Sequence, residues 1–202
     1  MTKIKLCGLK RPQDIEAANA LGPDYIGFVF AAKSKRAVTP EQAAKLRALL
    51  RPGILAVGVF VNGAPETVAR LLHEGVIDLA QLHGSEDEAY IRQLRQLTEK
   101  PLIRAFRIQT EADLGPVAAC SADLVLLDSG AGSGATFDWS LLEGIRRPYF
   151  LAGGLGPENV AAAVRALHPY GVDVSSGIET EGAKDPAKMA AFVQAVRKEE
   201  GL

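Results

Sequence analysis

Cysteine is scarce in this 202-residue chain: Cys7 and Cys120 are all there is. Nothing suggests an oxidising compartment in which the two would pair. No CxxC or Cys/His ligand spacing occurs, so no structural metal is expected. Charge of one sign is also missing. Lys and Arg number 23 against 24 Asp and Glu, the net charge is −1, and no basic block forms the footprint of a nucleic-acid binder. No apolar run approaches the roughly 20 residues of a membrane span. The first residues, "MTKIKLCGLK", place lysines where a signal peptide has its apolar core, so the cytoplasm is the expected compartment. Linkers, low-complexity segments and charge runs are absent too, which makes residues 1–202 one expected domain.

Hydrophobic residues make up 48% of the chain, enough for a sizeable core. They fall into two alternating periods. Short, nearly continuous apolar runs occur at 3–7, 24–30, 54–61, 77–82, 101–106, 122–128, 149–152 and 171–175. Runs of that kind suit strands buried on both faces, as in a parallel sheet. Helical patterns lie between them. "TPEQAAKLRALL" offers Thr39 as N-cap, Pro40 at the first helical position and Gln42 to close a capping box. "GPENVAAAVRAL" spaces Val160, Ala163, Val164 and Leu167 at i, i+3, i+4, i+7, and "DPAKMAAFVQAVRKEE" repeats the pattern with Met189, Phe192, Val193 and Val196 behind an Asp185 cap. Weaker helical stretches cover 12–20, 64–74, 86–97 and 110–119, with a short one at 138–144. Eight strands alternating with eight helices predict an α/β chain closed into a (β/α)₈ TIM barrel. The open dinucleotide-binding sheet is the alternative, but "GAGSGA" at 130–135 has its glycines at the wrong spacing for that fingerprint.

A barrel builds its active site at the C-terminal ends of the strands. That rule selects Cys7, Arg36 in "AAKSKRAV", Asn62, His83 in "QLHG", Arg104 and Arg107, Asp128 in "LVLLD", Gly153–Gly154 and Ser175–Ser176–Gly177. The turns at Gly154 and Ser175–Gly177, side by side after strands seven and eight, suit a phosphate held by backbone N–H groups. Ordinary turn glycines are the plainer alternative. Asp128, at the mouth of an apolar strand, suits a general acid, or else a loop cap. Arg36 is a carboxylate or phosphate clamp or a solvated loop residue, and His83 a site residue or a structural histidine. His73 and His168 are expected at the surface, and Cys120 in the core. Cys7 is either a core residue or a base, and as a base it needs an acid across the substrate. Asp128 supplies one, which points to an isomerase acting on a small phosphorylated substrate.

The runs "KIKLCGLKRPQDIEAA", "DYIGFVF…SKRAV", "VGVFVN", "QLHG", "LLDSGAGSGATFDW", "LAGGLGPENV" and "GVDVSSGIE…GAKD" together resemble the phosphoribosylanthranilate isomerase family of tryptophan biosynthesis. The loop "GAGSG" departs from the family, which usually has a Gly-Gly pair before Ser or Thr, so Ala131 is expected to alter flexibility more than chemistry. The resemblance implies an aldose–ketose (Amadori) isomerisation of N-(5-phosphoribosyl)anthranilate, with Asp128 as general acid and Cys7 as general base. It also implies Arg36 on the anthranilate carboxylate, and Gly154, Ser175, Ser176 and Gly177 on the phosphate. His83 is carried as a further substrate-binding residue. No cofactor or metal is implied, and the expected assembly is a monomer or homodimer. Two rivals stand beside this reading. One is the analogous isomerase of histidine biosynthesis, similar but with a carboxylate where this chain has Cys7. The other is a non-catalytic barrel that only binds a phosphorylated ligand.

Overall fold

The computed structural model describes residues 1–128, 139–142 and 144–201. The loop 130–135, with Ala131, and the proposed helix start at Asp138 lie outside the described residues.

Eight parallel strands close on themselves: β1 (Lys3–Cys7), β2 (Tyr25–Val29), β3 (Leu55–Phe60), β4 (Leu79–Leu82), β5 (Leu102–Arg107), β6 (Leu124–Asp128), β7 (Tyr149–Ala152) and β8 (Gly171–Val174). The barrel shuts where Lys3 pairs with Gly171 and Leu6 with Val174. Helices α1 (Pro12–Leu21), α2 (Pro40–Ala48), α3 (Pro65–His73), α4 (Glu88–Arg95), α5 (Leu114–Ala119), α6 (Val160–Leu167) and α7 (Pro186–Glu199) follow the strands. After β6 the short helix expected at 138–144 is a 3₁₀ turn, Trp139–Leu142, among the described residues. After β8 comes a feature the periodicity hid, a two-stranded ribbon of β9 (Glu179–Thr180) and β10 (Ala183–Lys184).

The caps form as their residue types dictate. Gln42 N donates to Thr39 Oγ1 at 3.2 Å and Thr39 N to Gln42 Oε1 at 2.9 Å, the reciprocal capping box. Asp185 accepts from Ala187 N at 2.9 Å. Val160, Ala163, Val164, Met189, Phe192, Val193 and Val196 are buried as their spacing predicts.

Strand parity sorts side chains to two sides of the barrel wall. Ile4, Leu6, Ile26, Phe28, Leu82, Val125, Leu127 and Val172 face the helices. Tyr25, Val57, Leu79, Ile103, Leu126 and Phe150 fill the interior. Phe150 meets Tyr25 and Tyr170 edge-on, at 5.4 and 5.3 Å between ring centres. A Cβ at Gly171 would come within 2.5 Å of the Phe150 ring, so only glycine lets β8 start there.

The N-terminal end of the barrel is tied by acids one residue ahead of alternate strands. Asp24 accepts from Ile4 N at 2.9 Å, Asp78 from Ala56 N at 2.7 Å and Asp123 from Leu102 N at 2.7 Å. Each carboxylate satisfies a backbone donor in the first two residues of the preceding strand. That face holds the fold together and leaves the other end free for chemistry.

Candidate active site

At the C-terminal end the described residues line a cavity of about 420 Å³. Cys7, Arg36, His83, Asp128, Gly154, Ser175 and Ser176 are all on its wall. Seven of the eight residues given a role by the family resemblance therefore converge. The eighth, Gly177, lies beside the wall: a Cβ there would come 2.0 Å from the Leu155 carbonyl oxygen. Its lack of a side chain lets the β8 turn press against the β7 turn.

Cys7 is the last residue of β1 and is 7% exposed. Room for its sulfur comes from β2, where a Cβ at Gly27 would sit 2.7 Å from Sγ. Gly8 follows at φ +81°, in the left-handed region, and a Cβ there would lie 2.5 Å from Arg36 Cδ. Gly8 thus lets Arg36 pass close beside the thiol. Burial pushes the Cys7 thiol above its ordinary value. Lys5 and Lys184 pull it down, while the Asp173 carboxylate adds to the rise.

Asp128 ends β6, separated from β1 by β7 and β8, so acid and thiol stand on different sides of the mouth. His83 Nε2 lies 3.5 Å from Asp128 Oδ2. On the other side of the ring, the Gln81 amide lies 2.9 Å from His83 Nδ1, within hydrogen-bonding distance. Gln81 Oε1 is buried with no hydrogen-bond partner among the described residues.

Arg36 is not a loose loop residue. Its Nε and one terminal nitrogen form a fork on Glu179, at 2.6 and 2.7 Å. Glu179 also accepts from Lys184 Nζ at 2.7 Å. The guanidinium is thereby aimed, with its remaining donors unspent on Glu179. Gly153 and Gly154 are successive left-handed residues, φ +89° and +66°, which turns the β7 backbone away from the strand direction. Ser175 spends its hydroxyl on the Cys7 carbonyl, at 3.2 Å, so its hydroxyl braces β8 to β1.

A family model described as N-(5'-phosphoribosyl)anthranilate (PRA) isomerase matches residues 4–195. The chain belongs to this family. An N-(5'-phosphoribosyl)anthranilate isomerase of Endomicrobium trichonymphae is 46% identical, over 98% of this chain and 99% of that one. Among solved structures, phosphoribosyl anthranilate isomerase from Thermotoga maritima superposes with a TM-score of 0.91 at 35% identity, over 98% of this chain and all of that one. Another structure of such an isomerase, in complex with reduced 1-(o-carboxyphenylamino)-1-deoxyribulose 5-phosphate, gives 0.88 at 35% identity, again over 98% of this chain and all of that one. The chain is therefore an isomerase of tryptophan biosynthesis on a TIM barrel. Among the described residues no helix is long and apolar enough to cross a membrane.

Five residues around this isomerase site escaped the sequence reading: Lys5, Gln81, Asp173, Glu179 and Lys184. Three carried a usable signal. Lys5 shares strand parity with Cys7, Gln81 with His83, and Asp173 with Ser175, so all three point into the barrel. Glu179 and Lys184 reach Arg36 only through the β9–β10 ribbon, which no periodicity announces.

Proposed function

We propose that Cys7 and Asp128 run this family's isomerisation as general base and general acid. The observation that carries the proposal is the placement of a buried thiol and a carboxylate on separate strands around one cavity, with glycine turns after β7 beside them. Asp128, protonated, gives its proton to the furanose ring oxygen of N-(5'-phosphoribosyl)anthranilate as the ring C–O bond breaks. The anthranilate nitrogen's lone pair forms the C=N⁺ of a Schiff base. The Cys7 thiolate then removes the proton from the adjacent sugar carbon. The C–H electrons become the C=C of an enolamine as the positive charge on nitrogen is discharged. Ketonisation gives 1-(2-carboxyphenylamino)-1-deoxyribulose 5-phosphate. The substrate's own nitrogen is the electron sink, so the scheme calls for no metal or organic cofactor.

Arg36, aimed by Glu179, takes the anthranilate carboxylate. Backbone groups at Gly154, Ser175, Ser176 and Gly177 take the phosphate, and His83 contacts the substrate beside Asp128. In this reading the enzyme works in the cytoplasm as a monomer or homodimer. The deciding experiment is Cys7→Ala, assayed by product formation and by binding of the reduced product analogue. Turnover should fall by about 10²–10⁴-fold, the usual worth of one acid–base partner, with analogue affinity nearly unchanged. A wild-type kcat would end the base assignment.

A further inference from the structure

Lys5 is fully buried in the barrel, in the same interior that Val57, Leu79, Leu126 and Phe150 pack with apolar side chains. Its Nζ lies 2.9 Å from Asp173 Oδ1, and Asp173 is 8% exposed. Removing two charges from water costs several kcal/mol per ion, and a packed apolar pair of the same volume would avoid that cost. A stability role alone therefore explains the pair poorly. Its position explains it better. Lys5 and Cys7 are successive inward-facing residues of β1, so the ammonium lies directly below the thiol on the same face of the strand. Asp173 faces Lys5 across the β1–β8 seam, where the two are register partners. An ammonium has three donors, and Asp173 Oδ1 takes one.

We propose that Lys5, held charged by Asp173, is a positioning residue that keeps Cys7 usable as a base by donating to its thiolate from below the substrate. The inference rests on Cys7 being the base. A thiolate only 7% exposed has little water to support its charge, and Lys5 supplies a donor and counter-charge. Each unit by which the thiol's pKa is brought down gives about tenfold more thiolate at neutral pH, against a smaller loss of proton affinity. Other charges face the same thiol. Lys184 on β10 and Arg36 after β2 are both engaged by Glu179, and Asp128 and His83 share the cavity. Of the cations, Lys5 is the one on the thiol's own strand, beneath it.

The test is a direct titration of Cys7, followed by thiolate absorbance near 240 nm as a function of pH. It is done in a Cys120→Ser background, with the Cys7→Ala, Cys120→Ser protein subtracted to remove tyrosine. Lys5→Met should raise the Cys7 midpoint by about one unit or more and lower kcat/KM by about tenfold, with little change in KM. Lys5→Gln, which keeps a polar side chain of similar length and removes the charge, should raise the midpoint likewise. A role confined to packing would leave the midpoint unmoved in the glutamine variant. A folded Lys5→Met protein with an unmoved midpoint overturns the inference. If Lys5→Met does not fold, Lys5→Gln decides alone: a raised midpoint supports the inference, and an unmoved or lowered one overturns it. The base assignment fails separately, through a wild-type kcat in Cys7→Ala. An inactive Cys7→Ala beside an unmoved Lys5→Met midpoint removes only the role given to Lys5.

Discussion

Glu179→Gln tests the ion cluster that aims Arg36. Burial alone pushes the Glu179 carboxyl up, but hydrogen bonds and charge from Arg36 and Lys184 outweigh it and bring its pKa from 4.5 down to about 2. A depressed carboxylate pKa contributes stability that is fully present above the unfolded value and is lost as pH falls through the folded one. The window here runs from about 4.5 down to about 2. A shift of that size is worth at most about 3.4 kcal/mol. The cluster borders the open mouth, with the Arg36 side chain 28% exposed, so solvent screening reduces this to on the order of 2 kcal/mol. For a chain of this length that corresponds to roughly 4–8 °C in Tm. Glutamine keeps the shape and removes the charge. Melts of wild type and Glu179→Gln at pH 7, 5, 4 and 3 should differ by that amount at pH 7 and converge as the pH falls. A gap equally wide at pH 7 and pH 3 would refute the reasoning. The same variant frees Arg36 from its fork, so KM should rise as Tm falls.

Three further substitutions probe the cavity. Asp128→Asn keeps the side chain's size and removes the transferable proton, so kcat should fall by about 10²-fold or more with a smaller change in KM. If only KM moves in steady-state assays, Asp128 is a binding residue. Arg36→Met should chiefly raise KM, by about tenfold for the loss of one charge-assisted clamp, and a wild-type KM would remove Arg36 from the carboxylate. Gly27→Ala puts a methyl 2.7 Å from Cys7 Sγ and 3.1 Å from Cys7 Cα, so the end of β1 must shift. It should cost about 1–3 kcal/mol in denaturant melts and lower kcat, because the thiol can no longer keep its position. A variant with both stability and kcat intact would show that the thiol's placement has slack.

The barrel was legible because strands buried on both faces are written as continuous apolar runs, and their spacing with capped helices repeats eight times. The caps at Thr39 and Asp185 formed as their residue types require, since a helix start is a local problem with a local solution. The segment after β6 was less legible. "DWSLLEG" has apolar residues at helical spacing but too few to propagate, and among the described residues Trp139–Leu142 form a 3₁₀ turn. The β9–β10 ribbon has two residues per strand, below any length at which alternation can be read. Yet it places Glu179 and Lys184, and through them the guanidinium of Arg36.

The site divides along the same line, and its aspartates show why. Asp24, Asp78, Asp123 and Asp173 each stand beside apolar strand residues, in "PDY", "IDL", "ADL" and "VDV". On paper they are one motif. The first three precede their strands and cap the neighbouring strand's backbone at the closed end of the barrel. Asp173 is the third residue of β8, because that strand begins at Gly171. That placement along the strand carries its carboxylate from the rim to the interior, opposite Lys5 and below Cys7. Register is a property of the closed sheet, fixed in part by the contact that admits only glycine at 171 beside Phe150. A chain read one segment at a time can therefore find the thiol and the acid that face the substrate, since strand ends are visible locally. The charges underneath them are set by how eight strands align, and only the assembled barrel reveals them.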